Sequence, residues 1–187
     1  MKSRIGLLAL LAMGCGMTSY AQTPAAALPA TAVSSLAPMV PHLAQPASGL
    51  LTGGQPDAAA WKALAEQGVV TVINLRSDAE MHASDEPVRV AAVGMHYVSI
   101  PVAGAADVNP ANAARLHAAI AAAGGKVLVH CASGNRVGAL LAIDAAERRH
   151  LPAEQAIAYG KAAGLTRLEP RVRAVLTDTP AASASTR

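Results

Sequence analysis

The stretch that most constrains this chain is Val127-Leu128-Val129-His130-Cys131-Ala132-Ser133-Gly134-Asn135-Arg136-Val137-Gly138. A short apolar run reads as a buried strand, and a turn of small residues leads from it into a helical pattern. Such a turn can aim successive backbone amides at one point, and the following helix adds about half a positive charge there. Ala132, Ser133 and Gly134 let the backbone come close, and Gly134 adds conformational freedom. Asn135 completes the set expected to hold an anion, and Arg136 can grip two oxygens with its planar fork. The same field stabilises a thiolate, which makes Cys131 a nucleophile. A buried structural cysteine beside a helix-capping Gly-Asn pair is the alternative. It accounts for neither the arginine nor the cluster of small residues.

The rest of the chain places this stretch in a sheet. Gly49–Thr52 reads as an edge strand. Asp57 caps a helix through Trp61 and Leu64 that Gly68 closes. Val69–Leu75 is β-branched and nearly continuously apolar, as a strand covered on both faces should be. A helix over 86–93 ends at Gly94, and His96–Ile100 is a further strand. Helices follow over 110–123, 136–150, 152–163 and 169–176. Strands alternating with helices predict an α/β fold, a mostly parallel sheet flanked by helices. Ligands gather beyond the C-terminal strand ends of such sheets, so the loops at Arg76, Pro101 and Cys131 should meet.

Both ends of the chain read differently. Lys2 and Arg4 precede the apolar run Ile5–Met13, and Ser19-Tyr20-Ala21 offers a cleavage site. Residues 1–21 therefore read as a signal peptide, and the run is too short to span a bilayer. The expected location is periplasmic or secreted; a lipoprotein anchored at Cys15 is the alternative, and the only route to membrane contact. Residues 22–47, rich in Ala and Pro, read as a flexible linker. The domain is expected over 48–176, with a disordered tail over 177–187. Without the leader, Cys131 is the lone cysteine in an oxidising compartment, and 13 basic side chains face 12 acidic ones, a net of +1. That balance gives no footprint for nucleic acid.

His130-Cys131 followed by Gly134 and Arg136 resembles the signature loop of cysteine-based protein tyrosine and dual-specificity phosphatases. Gly54-Gln55-Pro56, Val72–Arg76 with Glu80 downstream, and Tyr97 with Ile100-Pro101 resemble the bacterial phosphatase-like family also found fused to metallo-β-lactamase-type hydrolases. The resemblance spans roughly 49–146. It implies a cysteine phosphatase-like architecture and hydrolysis of a phosphate monoester through a phosphocysteine. Cys131 would be the nucleophile, Arg136 the oxyanion grip and Asp107, the only carboxylate of its loop, the general acid. Asp107 reads equally well as a loop acid capping the next helix. His130 is expected to orient the loop or simply to be buried on its strand. Arg76 would widen the positive rim or pair with Asp78, Glu80 or Glu86.

The loop departs from the phosphatase pattern in two ways. Four residues, not the usual five, separate Cys131 from Arg136, and Val137 stands where a hydroxyl residue is common. Six residues from Cys to Arg is also the length of rhodanese-like sulfurtransferase loops, which carry a persulfide. A sulfurtransferase and a non-catalytic anion-binding module therefore stay open beside the phosphatase. No cofactor or metal is implied: the six histidines show no ligand spacing. Trp61 reads as core, and Asp144 with Arg148 as an ordinary surface pair.

Overall fold

The computed structural model describes residues 26–178. The leader at 1–21 and the tail beyond Asp178 lie outside them. Five strands form one sheet in the order β1 (Ala44–Ala47), β2 (Leu50–Gly53), β5 (Lys126–His130), β3 (Val69–Asn74), β4 (His96–Ser99). β2, β5, β3 and β4 are mutually parallel, and β1 runs antiparallel to β2. The mostly parallel α/β sheet expected from the sequence is present.

Period-2 alternation sends the strand side chains into two cores. Ile73, Val127 and Val129 join one with α5 (Pro110–Ala122), α6 (Asn135–Arg149) and α8 (Glu169–Asp178). Leu51, Val72 and Leu128 join the other with Trp61 and Leu64 of α2 (Ala60–Glu66) and Val90 of α4 (Glu86–Ala92). Each such aliphatic side chain contributes roughly 1.5–3 kcal/mol on burial. The capping signals also hold. Asp57 Oδ1 accepts from the amides of Ala59 and Ala60 at 2.9 Å each, and Gly68 and Gly94 take positive φ at the helix ends.

Residues 26–47 correct the linker reading. Residues 30–36 form α1 (Ala30–Leu36), and 44–47 form β1. Leu28, Ala32, Leu36 and Val40, four apart, are buried against the Trp61 core. Two leucines, an alanine and a valine at this spacing have the composition of a linker and the period of a helix, and Ala32 and Leu36 fall within α1. Because β1 lies outside it, β2 is an interior strand. Pro46 is tolerated in β1 because that strand is the edge. At the other end, Thr177 and Asp178 belong to α8 and not to a tail. Between β3 and α4, a short helix, α3 (Asp78–Met81), is closed by a capping box between Ser77 and Glu80.

Asp144 is also corrected. It is buried in α6, where α5 packs over it, and faces His117 Nδ1 at 3.0 Å as well as Arg148 Nε at 3.2 Å. α6 meets α7 (Ala153–Ala162) backbone to backbone. A Cβ on Gly138 would lie 2.1 Å from the Leu165 amide nitrogen and 2.5 Å from the Gly160 carbonyl oxygen. This contact brings the segment after α7 over the turn that follows β5.

Candidate active site

β5 and its neighbour β3 end side by side, with Asn74 opposite His130. The next residues, Leu75-Arg76 and Cys131-Ala132, therefore start from adjacent points. Gly53 O accepts the Cys131 amide, Ala132 O accepts the Gln55 amide at 3.2 Å, and Gly54 bridges Ser133. Gly134 then takes φ +83°, which L side chains rarely adopt, and α6 begins at Asn135. The turn folds back so that the Gly134 amide donates to Cys131 Sγ at 3.1 Å. That amide and the helix N-terminus behind it complement negative charge at the sulfur. Cys131 is buried and free.

Arg136 is gripped from behind. Its Nη1 and Nη2 donate to Glu80 Oε2 and Oε1, each at 2.7 Å, an end-on bidentate pair. Nη1 also donates to the Val102 carbonyl at 2.8 Å. The pair with Arg136, helped by hydrogen bonds from Ser77, holds the Glu80 carboxyl down to about 2. Glu80 in turn holds the guanidinium charged against its own burial, and Cys131 adds to this. The Nε–Nη2 edge of the fork remains for an oxyanion above Cys131.

A second layer lies under the loop. His130, on the Trp61 side of β5, is fully buried, and its Nε2 meets Glu86 Oε1 at 2.9 Å. A carboxylate only accepts, so this nitrogen carries the hydrogen. Nδ1 is buried without a hydrogen-bond partner. Burial works to raise the Glu86 carboxyl, but the His130 hydrogen bond and charge, with Gln55 and Arg76, pull it below its ordinary value. Gln55 Nε2 donates to Glu86 Oε2 at 2.6 Å, and Arg76 Nη1 donates to Gln55 Oε1 at 2.7 Å. Arg76 also lies against Glu80. A continuous polar chain thus runs from His130 through Glu86, Gln55, Arg76 and Glu80 to Arg136.

A cavity of about 320 Å³ opens over the loop, bordered by Gly104, Ala105, Ala132, Ser133, Arg136 and Arg167 among others. Ala132, Ser133 and Arg136 line it as the sequence suggests. Three expected residues are placed otherwise. Asn135 borders the cavity, but its Oδ1 accepts the amides of Thr166 at 2.8 Å and Leu168 at 3.3 Å. Arg76 is engaged in the polar chain and does not line the cavity. Asp107 does not line it either: its Oδ2 accepts the amides of Ala103 at 2.8 Å and Gly104 at 3.3 Å, closing its own loop. Arg171 braces that loop by donating to the carbonyls of Ala105 and Val108. The helix cap expected of Asp107 comes instead from Asn109, whose side chain accepts the Asn112 amide.

Sequence reasoning named Glu86 and Gln55 but missed their roles in this polar chain, and it missed Arg167 altogether. Glu86 precedes Pro87 and reads as an ordinary first-turn acid, so nothing local marks it as the partner of a histidine 44 residues away. Arg167 has no local signature at all. No group of three metal-ligating side chains occurs among the described residues.

Known proteins share this fold. The model of the beta-lactamase hydrolase-like protein, phosphatase-like domain, matches residues 49–148. A DUF442 protein of Shewanella putrefaciens CN-32 with a provisional phosphatase name is 30% identical, over 78% of this chain and 92% of that one, with a TM-score of 0.57. A similarly named Neisseria meningitidis protein is 23% identical over 71% and 96%, with a TM-score of 0.59. TpbA of P. aeruginosa, solved as a cysteine-to-serine variant with pTyr, shares the fold at 19% identity over 75% and 90%, TM-score 0.56. No curated protein matches the chain.

Proposed function

The chain belongs to the phosphatase-like domain family of beta-lactamase hydrolase-like proteins, and from that premise we propose that it is an exported cysteine phosphatase acting on a phosphate monoester. Cys131 Sγ attacks phosphorus. The S–P bond forms as the ester P–O bond breaks, and the electron pair leaves with the ester oxygen. The turn amides and the free edge of Arg136 hold the other phosphoryl oxygens. Water then attacks the phosphocysteine, the sulfur leaves as thiolate, and phosphate departs. The observation that carries this reading is the pairing of a Gly134 amide on Sγ with an arginine fork fixed by Glu80.

Asp107 would protonate the leaving oxygen only after its loop opens, because its carboxylate holds two amides. Aryl esters, whose alcohol departs as a stable anion, turn over with this loop closed, and alkyl esters turn over with it open. Turnover of para-nitrophenyl phosphate, with acid-quench mass spectrometry for a phosphoryl group on Cys131, tests the reading. Wild type no faster than Cys131→Ser overturns it.

The six-residue loop supports a second reading, sulfur transfer through a persulfide on Cys131. Thiosulfate treatment should then add one sulfur to the intact mass, and an unchanged mass removes it. Export rests on the basic start and apolar run of residues 1–21. Cell fractionation with N-terminal sequencing should find a mature chain starting at Gln22. A diacylglyceryl mass on Cys15 points to the lipoprotein route instead, and a cytoplasmic chain with its leader intact overturns export.

A further inference from the structure

Residues 164–168 are fastened to the loop at three points. Gly164 presses on Gly134, where a Cβ would come 3.0 Å from the Gly134 carbonyl oxygen. Leu165 sits on Gly138. Asn135 Oδ1 accepts the amides of Thr166 and Leu168, one on each side of Arg167. The backbone of Arg167 is therefore held by the residue next to Arg136, and both arginines border the same cavity. Arg167 is exposed. It is the one arginine among the described residues without a hydrogen bond or ion pair; Arg115, Arg149 and Arg171, for example, each donate to a named acceptor.

The rest of the cavity narrows what Arg167 meets. At about 320 Å³ it has the volume of a small metabolite. Its walls at Gly104, Ala105 and Ala132 are small, and no aromatic ring borders it. Trp61 is buried in the core, the Tyr97 hydroxyl accepts from Asn74, and Tyr159 lies against Arg149. Among the described residues no aromatic side chain is placed to stack on an aryl ring there, while two arginines border one small volume. Resting on the phosphatase reading above, we propose that the substrate is a small bisphosphate: Arg136 and the turn hold the scissile phosphate, and Arg167 binds the second.

Steady-state kinetics with propane-1,3-diol bisphosphate and monophosphate test this, with a phosphotyrosyl peptide as a third substrate. A charge-assisted arginine–phosphate contact should raise kcat/KM for the bisphosphate over the monophosphate by about 10- to 100-fold, mainly through KM. Arg167→Gln should collapse that ratio to within about threefold, and Arg167→Lys should keep part of it because the charge survives without the fork. Asn135→Ala should lower the ratio with Arg167 still present. A wild-type ratio near one, a ratio that survives Arg167→Gln, or the peptide as best substrate overturns the proposal; aryl phosphate turnover in the same preparations then leaves the phosphatase reading standing. If wild type turns over none of the compounds, that reading fails instead. Calorimetric binding of the two diol phosphates then decides the Arg167 assignment: tighter bisphosphate binding lost in Arg167→Gln supports it, and equal binding overturns it.

Discussion

The two walls of the cavity are built on different principles. The wall at 131–136 exposes Ala132 and Ser133 but is fixed from behind: Glu80 grips Arg136, Gly54 and Gln55 pair with the turn, and the Gly134 amide already points at Sγ. The wall at 103–107 is largely exposed, and its one carboxylate bonds its own backbone. On the proposed phosphatase reading, the site is thus preorganised to bind and attack an anion, but not to protonate what departs. Electrostatic preorganisation is usually the larger catalytic effect, so a site can function with the second wall unset.

Substitutions can break this contrast. Cys131→Ser should bring aryl phosphate turnover down to the buffer background, read as nitrophenolate release. Arg136→Lys keeps the charge but loses the fork, and kcat/KM should fall about 10²–10³-fold. Glu86→Ala strands His130 and Gln55 in the interior; breaking such a buried pair costs about 3–5 kcal/mol, which calorimetry should show as a clear drop in Tm. An unchanged Tm would mean that the polar chain under the loop is not what sets it.

Glu80 gives a pH test. Its folded carboxyl sits at about 2 against an ordinary 4.5, so in between the unfolded chain binds more protons. The contribution to stability, roughly 3–4 kcal/mol before solvent screening and about half of that or less after it, is fully present above pH 4.5 and is lost as pH falls toward 2. Urea midpoints of wild type and Glu80→Gln should differ most at neutral pH and converge on acidification. The smallest effect is expected of Asp107→Asn on para-nitrophenyl phosphate. A working general acid is worth about 10²–10⁴-fold, and here the loss should stay well below that range. A loss within it would show that the second wall is set after all.

The sheet was legible because β3 and β5 are almost wholly buried and read as nearly continuous apolar runs. The helix ends were legible where Asp57, Gly68 and Gly94 carry local backbone signals. The turn around Cys131 was legible for the same reason: its residues are contiguous. What escaped depends on distant partners. Glu80 meets Arg136 across 56 residues and Glu86 meets His130 across 44, and neither acid differs locally from a helix-capping one. Asn135 was legible only in part, because an amide beside an anion loop serves both as a candidate anion donor and as an acceptor for a neighbouring segment. The first strand and helix escaped because alanine and proline are the substance of linkers and also of tight packing.

The strand order carries a kinetic consequence. β2 and β3 are never neighbours; β5, the last strand made, lies between them. Until Lys126–His130 arrives, the preceding residues hold two half-sheets with open inner edges. Their joining is a long-range closure, the slow kind of step. The cysteine enters on the strand that performs it. A nascent chain of this protein therefore has no assembled turn around Cys131 until its sheet is whole.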